Sequence, residues 1–249
     1  MENDLDIYVC TYKDFNKVVN DETYKVINVR DIDQSKYPLT DRFFSELVSY
    51  FHIAETAELK KYIGFCHYRK YFDFMDNIPD MDEIFKTSDV ILTKPLKFYS
   101  SIKRQYGVCH NPDDLALMQE IINDKFPEYA DACENVLNNT FQFYSCNMFI
   151  MKKEDFLEYI DFMKGVLFEF VDRIGTDIYK RIDEHKDKYL KKVPGCPQNM
   201  QPWYQYRIGG YLGERLTNVF IAKKFKNIKT YGLVVTEEKY KKGITDKDD

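Results

Sequence analysis

Four consecutive side chains, His67-Tyr68-Arg69-Lys70, concentrate groups that can do chemistry. Arg forks two hydrogen bonds onto phosphate oxygens, Lys adds a point charge, and His can carry a proton near neutral pH. They follow Tyr62-Ile63-Gly64-Phe65-Cys66, a short apolar run with the composition of a buried strand. In an open α/β sheet, ligands sit beyond the carboxyl ends of the strands. A strand ending in this packet is therefore a candidate site for a phosphate-bearing molecule. Ordinary solvated cations at an exposed strand end are the competing reading. A second candidate is the polar insert Ser145-Cys146-Asn147 within the apolar stretch Phe141–Lys152. A third is the loop Val193–Tyr206, which holds the only Trp, Trp203, beside Tyr204 and Tyr206. Such rings can stack on a sugar or simply pack a crossover.

Several chemistries are excluded by spacing. Cys66 and His67 are neighbours on a strand, so they point to opposite faces and form no thiol dyad. Four His and six Cys (Cys10, Cys66, Cys109, Cys133, Cys146, Cys196) show no metal-ligand spacing. Neither a Walker A loop nor GxGxxG occurs, which argues against a P-loop kinase or a dinucleotide oxidoreductase. GxSxG is absent, which argues against an α/β hydrolase. Metal-using nucleotide-sugar transferases place a DxD pair just after a central strand. Here that slot holds His67-Tyr68-Arg69, so fixed cations would neutralise a leaving diphosphate and no metal is expected.

The 249 residues suit one α/β domain over about 1–235, followed by a charged, frayed tail over 236–249. At 44% hydrophobic and 31% charged the chain should bury a core, and a net charge of −5 argues against broad nucleic-acid binding. Scattered cysteines without a leader peptide read as reduced thiols of a cytoplasmic protein. No apolar run approaches the roughly 20 residues that cross a bilayer.

The positioning elements follow from periodicity. Asp6–Thr11 and Lys25–Val29 read as strands, with Thr11 and Tyr12 at a strand end that can meet a base and a polar loop between them. Phe43, Leu47, Phe51 and Ala54 predict one helix over 41–57 capped by Thr40, with Ser45 and Glu46 on its surface. Asp89–Lys94 reads as a buried strand whose Asp89 either starts it or serves as a base. Residues 97–110 show no clean period and read as a loop over a cleft. Asn111-Pro112-Asp113-Asp114 is a helix start. Phe141–Lys152 reads as one central strand and Glu154–Ile174 as a long amphipathic helix. Residues 193–206 read as irregular, 211–224 as a helix, and Ile228–Val235 as a last strand.

IYVCTYKD (Ile7–Asp14), SELVSYF (Ser45–Phe51), IGFCHYRKYF (Ile63–Phe72), SDVIL (Ser88–Leu92), QYGVCH (Gln105–His110), NMFIMKKEDF (Asn147–Phe156) and GERLTNVFI (Gly213–Ile221) occur in this order. In them the chain resembles a bacterial family catalogued as domain of unknown function 4422. That family is found in capsule, exopolysaccharide and O-antigen gene clusters, and some members have been assigned as galactofuranosyltransferases. The resemblance implies a GT-A-like (Rossmann-like) α/β domain with a mixed sheet flanked by helices. It implies inverting transfer of a hexose from a UDP-sugar to a lipid-linked or oligosaccharide acceptor. Thr11 and Tyr12 would lie near the base, and His67, Tyr68, Arg69 and Lys70 at the diphosphate. Asn147, His110 and Trp203 would lie by the sugar or acceptor, and Glu214, Asp89 or His67 would be the base. The family usually carries a second Arg where this chain has Lys70. A catalytically silent nucleotide- or carbohydrate-binding partner is the alternative. The lysines at 223, 224, 226 and 229, with the tail, are either a solvated face or a peripheral contact with the inner membrane face.

Overall fold

The protein is described by a computed structural model covering residues 4–14 and 22–236. The expected tail beyond 236, and 15–21 of the expected polar loop, lie outside the described residues.

β1 (Leu5–Thr11) is buried along its whole length, as a strand covered on both faces must be. Its side chains alternate between two apolar clusters, Leu5, Ile7 and Val9 facing one and Tyr8 and Cys10 the other. β2 (Tyr24–Asn28) pairs parallel to one side of β1, and β3 (Tyr62–His67) pairs parallel to the other. The chain reverses its direction of winding at β1, so the carboxyl ends of β1 and β3 form a topological switch point. Between β2 and β3 lie α1 (Asp41–Phe44) and α2 (Leu47–Thr56). The single helix expected over 41–57 is broken, because Ser45 adopts φ 55° and ψ −134°. Thr40 occupies the cap position but its side chain makes no capping bond.

β4 (Lys70–Phe72) returns from β3 as a hairpin, with His67 opposite Lys70. α3 (Met81–Ile84), β5 (Val90–Thr93) and β6 (Leu96–Lys97) follow. The stretch 97–110 is not a loop: after β6 it forms α4 (Ile102–Cys109), whose cap Ser101 accepts the Arg104 N–H. α5 (Pro112–Lys125) starts at Asn111 as expected, and α6 (Ala130–Glu134) follows. The expected central strand over 141–152 is two strands, β7 (Gln142–Phe143) and β8 (Phe149–Lys152). β7 leaves the main sheet to pair with β6, and β8 runs antiparallel between β3 and β5.

α7 (Lys153–Ile174) buries the expected stripe of Phe156, Ile160, Met163, Leu167 and Val171. Burying each such side chain stabilises by about 1.5–3 kcal/mol. α8 (Ile178–Glu184), α9 (Lys186–Tyr189), α10 (Pro202–Gln205) and α11 (Ile208–Lys224) complete the helices, so the Pro-rich loop is partly helical. β9 (Ile228–Tyr231) joins β5 in parallel, and β10 (Leu233–Val235) pairs with β4. β3 and β5 are both antiparallel to β8, so they run parallel to each other and end at the same edge of the sheet. Gly64 permits the close approach at the centre: a Cβ there would lie 2.9 Å from Ile150 Cγ1 and 3.0 Å from Ile7 Cγ1. Among the described residues no helix is long and apolar enough to cross a membrane.

Candidate active site

The β3–β4 hairpin puts Tyr68 and Arg69 at its tip. Tyr68 is fully buried; its N–H donates to the Cys10 carbonyl and its hydroxyl to that of Tyr12 at 3.3 Å. It serves as a platform rather than a ligand contact. The Arg69 guanidinium lies 4.9 Å and Lys13 Nζ 5.4 Å from its ring centre, and Tyr12 meets it edge-on. β10 steadies the hairpin from behind, and Thr236 N–H donates to the Arg69 carbonyl.

His67 is pushed down to a pKa of about 3, first by burial and then by the charges of Arg69, Lys70 and Arg207. The imidazole is neutral at pH 7 and too weak to act as an efficient general base. The three charges that depress it converge on the strand end. Among the described residues none of Arg69, Lys70 and Arg207 is within ion-pair distance of a carboxylate. Lys70 Nζ donates instead to Cys146 Sγ at 2.9 Å, and Arg207 Nε to Ser45 Oγ at 3.0 Å. Among the described residues this leaves the two terminal nitrogens of Arg207 without a bond. Gly210 keeps Ser45 in reach, since a Cβ there would come within 2.6 Å of Ser45 Oγ.

Beside the hairpin, Thr11 Oγ1 donates to the Lys13 carbonyl and accepts the Lys13 N–H, fixing the turn after β1. Thr11, Lys13, Asp14, Val26, Asn28 and Asp31 line a cleft of about 220 Å³ there.

Two carboxylates approach from the helical side through consecutive residues. Cys146 and Asn147 both have positive φ, 71° and 51°. Left-handed backbone costs on the order of 1–3 kcal/mol at Cys, less at Asn. The kink points the Cys146 N–H at Glu214 Oε1, 2.7 Å away, while Asn147 Nδ2 donates to Glu46 Oε1 at 2.9 Å. Glu214 Oε2 also accepts from Arg215. Burial raises the Glu214 pKa, Arg215 and the Cys146 N–H oppose it, and the charge of Glu46 adds to the rise. Glu46 also interacts with the charge of Arg207. Cations and carboxylates therefore share one edge of the sheet.

The structure brings together Thr11, Tyr12, His67, Tyr68, Arg69, Lys70 and Glu214 of the expected residues. Asn147 is 1% exposed, and its amide is consumed by Glu46 and by Thr217 Oγ1, so it positions Glu46 instead of meeting a sugar. His110 is buried too; it stacks on Tyr211 and bonds Gln205 behind the site. Trp203 is exposed on α10, edge-on to Tyr204, whose carbonyl accepts from Tyr211. Asp89 lies at the start of β5, the sheet edge opposite the cleft, and accepts the N–H groups of Lys226 and Asn227. It anchors a turn and is not part of the cleft. Ser45, Glu46 and Arg207 are site residues that sequence patterning missed. Among the described residues no three His, Cys, Asp or Glu side chains gather as metal ligands.

A mixed sheet with a cleft at the carboxyl ends of its parallel strands, flanked by helices, defines a GT-A-like fold. A solved structure titled as a bifunctional glycosyltransferase, WbbM, in its apo form, shares it with a TM-score of 0.69 at 20% identity. The match covers 94% of this chain and 45% of that one, so this chain spans under half of its length. The chain belongs to the family described as "Domain of unknown function (DUF4422)", whose model matches residues 6–192. No curated protein matches it.

Proposed function

We propose that the chain is a glycosyltransferase that moves a hexose from a UDP-sugar to a growing capsule, exopolysaccharide or O-antigen glycan, with inversion and without a divalent metal. The observation that carries this reading is the convergence of Arg69, Lys70 and Arg207 on the end of β3, none of them, among the described residues, within ion-pair distance of a carboxylate. Fixed cations in a partly water-excluded site suit a diphosphate whose charge grows as its bond to the sugar breaks. The cleft between β1 and β2 suits the base of UDP. The likeness of fold to a glycosyltransferase supports the reaction class, and the motif resemblance supports galactofuranose as the sugar.

In this mechanism Glu214 takes the proton of an acceptor hydroxyl. The hydroxyl oxygen bonds the anomeric carbon on the face opposite UDP, and the carbon–oxygen bond to the diphosphate breaks. UDP leaves with the electron pair, held by Arg69, Lys70 and Arg207. The raised pKa of Glu214 brings it closer to the neutral range where a general base works best. Glu46, held by Asn147, adds a favourable charge at longer range, while Ser45 Oγ holds the Nε of Arg207.

The test is turnover of a panel of UDP-sugars, UDP-galactofuranose included, with magnesium or manganese and then with EDTA. Turnover that survives EDTA is expected. Loss with EDTA refutes the metal-free mechanism. UDP binding with no turnover on any donor, with a lipid-linked acceptor supplied, favours the silent binding partner.

A further inference from the structure

The two-stranded ribbon of β6 and β7 has no assigned role, and it lies at the sheet edge that carries the site. β6 begins two residues after β5, at the sheet edge where β1 and β3 also end. β7 leads through Tyr144 and Ser145 into Cys146 and Asn147. Register puts Leu96 opposite Phe143, and Phe98 N–H donates to the Phe141 carbonyl. Leu96, Phe98, Phe141 and Phe143 therefore share one face of the pair, on which Phe98 and Phe143 stack against the core. Leu96 and Phe141 are left about half exposed, at 49% and 52%, and Tyr99 projects fully into solvent.

The charge around these residues is as uneven as their polarity. The chain has 41 acidic residues, yet none falls in 90–112 or in 135–153, the segments that build the ribbon and α4. Lys94, Lys97 and Arg104 lie there, and among the described residues none makes an ion pair. An acidic protein thus carries a local cationic rim with exposed aromatic and aliphatic side chains. Tyr sits well at the headgroup level of a bilayer, and Lys and Arg are drawn to anionic lipid. A folded polyanion would be met by cations alone, without three apolar side chains on the outside.

We propose that this rim docks on an anionic membrane surface, with Leu96, Tyr99 and Phe141 entering the headgroup layer and Lys94, Lys97 and Arg104 held by lipid phosphates. The docking turns the cleft toward the bilayer. The lysines between 223 and 229 lie at the opposite edge, where β9 begins, and Lys224 is already engaged by Glu158 and Asp155. Contact through them would turn the cleft away.

The test is co-sedimentation of the full chain with vesicles of phosphatidylcholine mixed with anionic phosphatidylglycerol, and with phosphatidylcholine alone. The wild type binds the anionic vesicles, and high salt weakens the binding. K94Q/K97Q/R104Q lowers partitioning by about a hundredfold. Y99S/F141S removes the part of the binding that survives high salt. K223Q/K226Q/K229Q binds as wild type, and all variants keep wild-type affinity for UDP, which separates this surface from the cleft. Absence of wild-type binding to anionic vesicles overturns the proposal, as does retention of heparin without vesicle binding. Loss in the 223–229 variant with the rim variants unaffected overturns it too.

Discussion

Replacing Arg207 isolates the cation that only the fold brings to the site. Its Nε is committed to Ser45 Oγ at 3.0 Å, so binding of a diphosphate would use the remaining nitrogens. A hydrogen bond to a charged group contributes about 1.5–3 kcal/mol. Losing one such bond in Arg207→Ala should weaken UDP binding by about 10- to 150-fold. Arg207→Lys keeps the charge but loses the fork, so its loss should be smaller. Titration calorimetry with UDP gives the affinities, and thermal melting checks that the variants remain folded. His67 supplies a second readout by NMR titration. Its pKa of about 3 should rise in Arg207→Ala, because one of three depressing charges has gone, yet stay below 6.5, because burial is the larger cause. A folded Arg207→Ala that binds UDP within twofold of wild type would refute the anion-site reasoning.

Glu214→Gln should lower kcat by about 10²- to 10⁴-fold with UDP affinity nearly unchanged, as loss of a general base requires; steady-state kinetics with calorimetry checks both. Asp89→Ala should destabilise by about 0.5–1.5 kcal/mol, since two exposed backbone N–H groups exchange their carboxylate acceptor for water, without changing kcat; melting and activity together decide it. Acid should act through buried histidines. His67 and His110 both have folded pKa values of about 3 against 6.5 unfolded, so the unfolded state takes up protons first and each costs about 2 kcal/mol of stability between pH 7 and pH 5. Asp114 opposes this. Burial raises its pKa to about 7, so it binds a proton in the folded state over the same window and returns about 2 kcal/mol. Asp114→Asn should therefore lose melting temperature more steeply than wild type from pH 7 to pH 5, and parallel curves would count against the assignment.

Where hydrophobic pattern and local chemistry agree, the sequence was readable. β1 and β3 are apolar runs that end in polar residues, and α7 carries a clean helical stripe. Asn111 caps α5 through its own side chain, which accepts the Asp113 N–H. The misread stretches lacked such agreement or had a competing force. Residues 97–110 show no period because β6 spans two residues and α4 is only eight long, although Ser101 was a usable cap signal. FQFYSCNMFIMK is apolar on both sides of its insert, so composition suggests one strand. The break arises because Glu214, 68 positions away, bonds the Cys146 N–H in a left-handed turn.

The same distance argument explains which half of the site was hidden. The strand-end packet is contiguous, so its charge is visible in four letters. The other half is assembled from residues 45–46, 146–147 and 207–214, and each looks ordinary locally. Ser45 and Glu46 sit among Phe43, Phe44, Leu47 and Val48, whose spacing continues a helix as if no break existed. Only the packing of α11 against α1 shows why Ser45 leaves helical geometry. Gly210 has no room for a side chain beside Ser45, and Arg207 donates to that hydroxyl. The break then brings Glu46 to the Asn147 amide, whose oxygen is held by Thr217 of the same α11. One helix thereby fixes Arg207, Glu214 and, through Asn147, Glu46. A substitution that shifts α11 should disturb cation and carboxylate together, whereas one in the β3–β4 hairpin should disturb the cations alone.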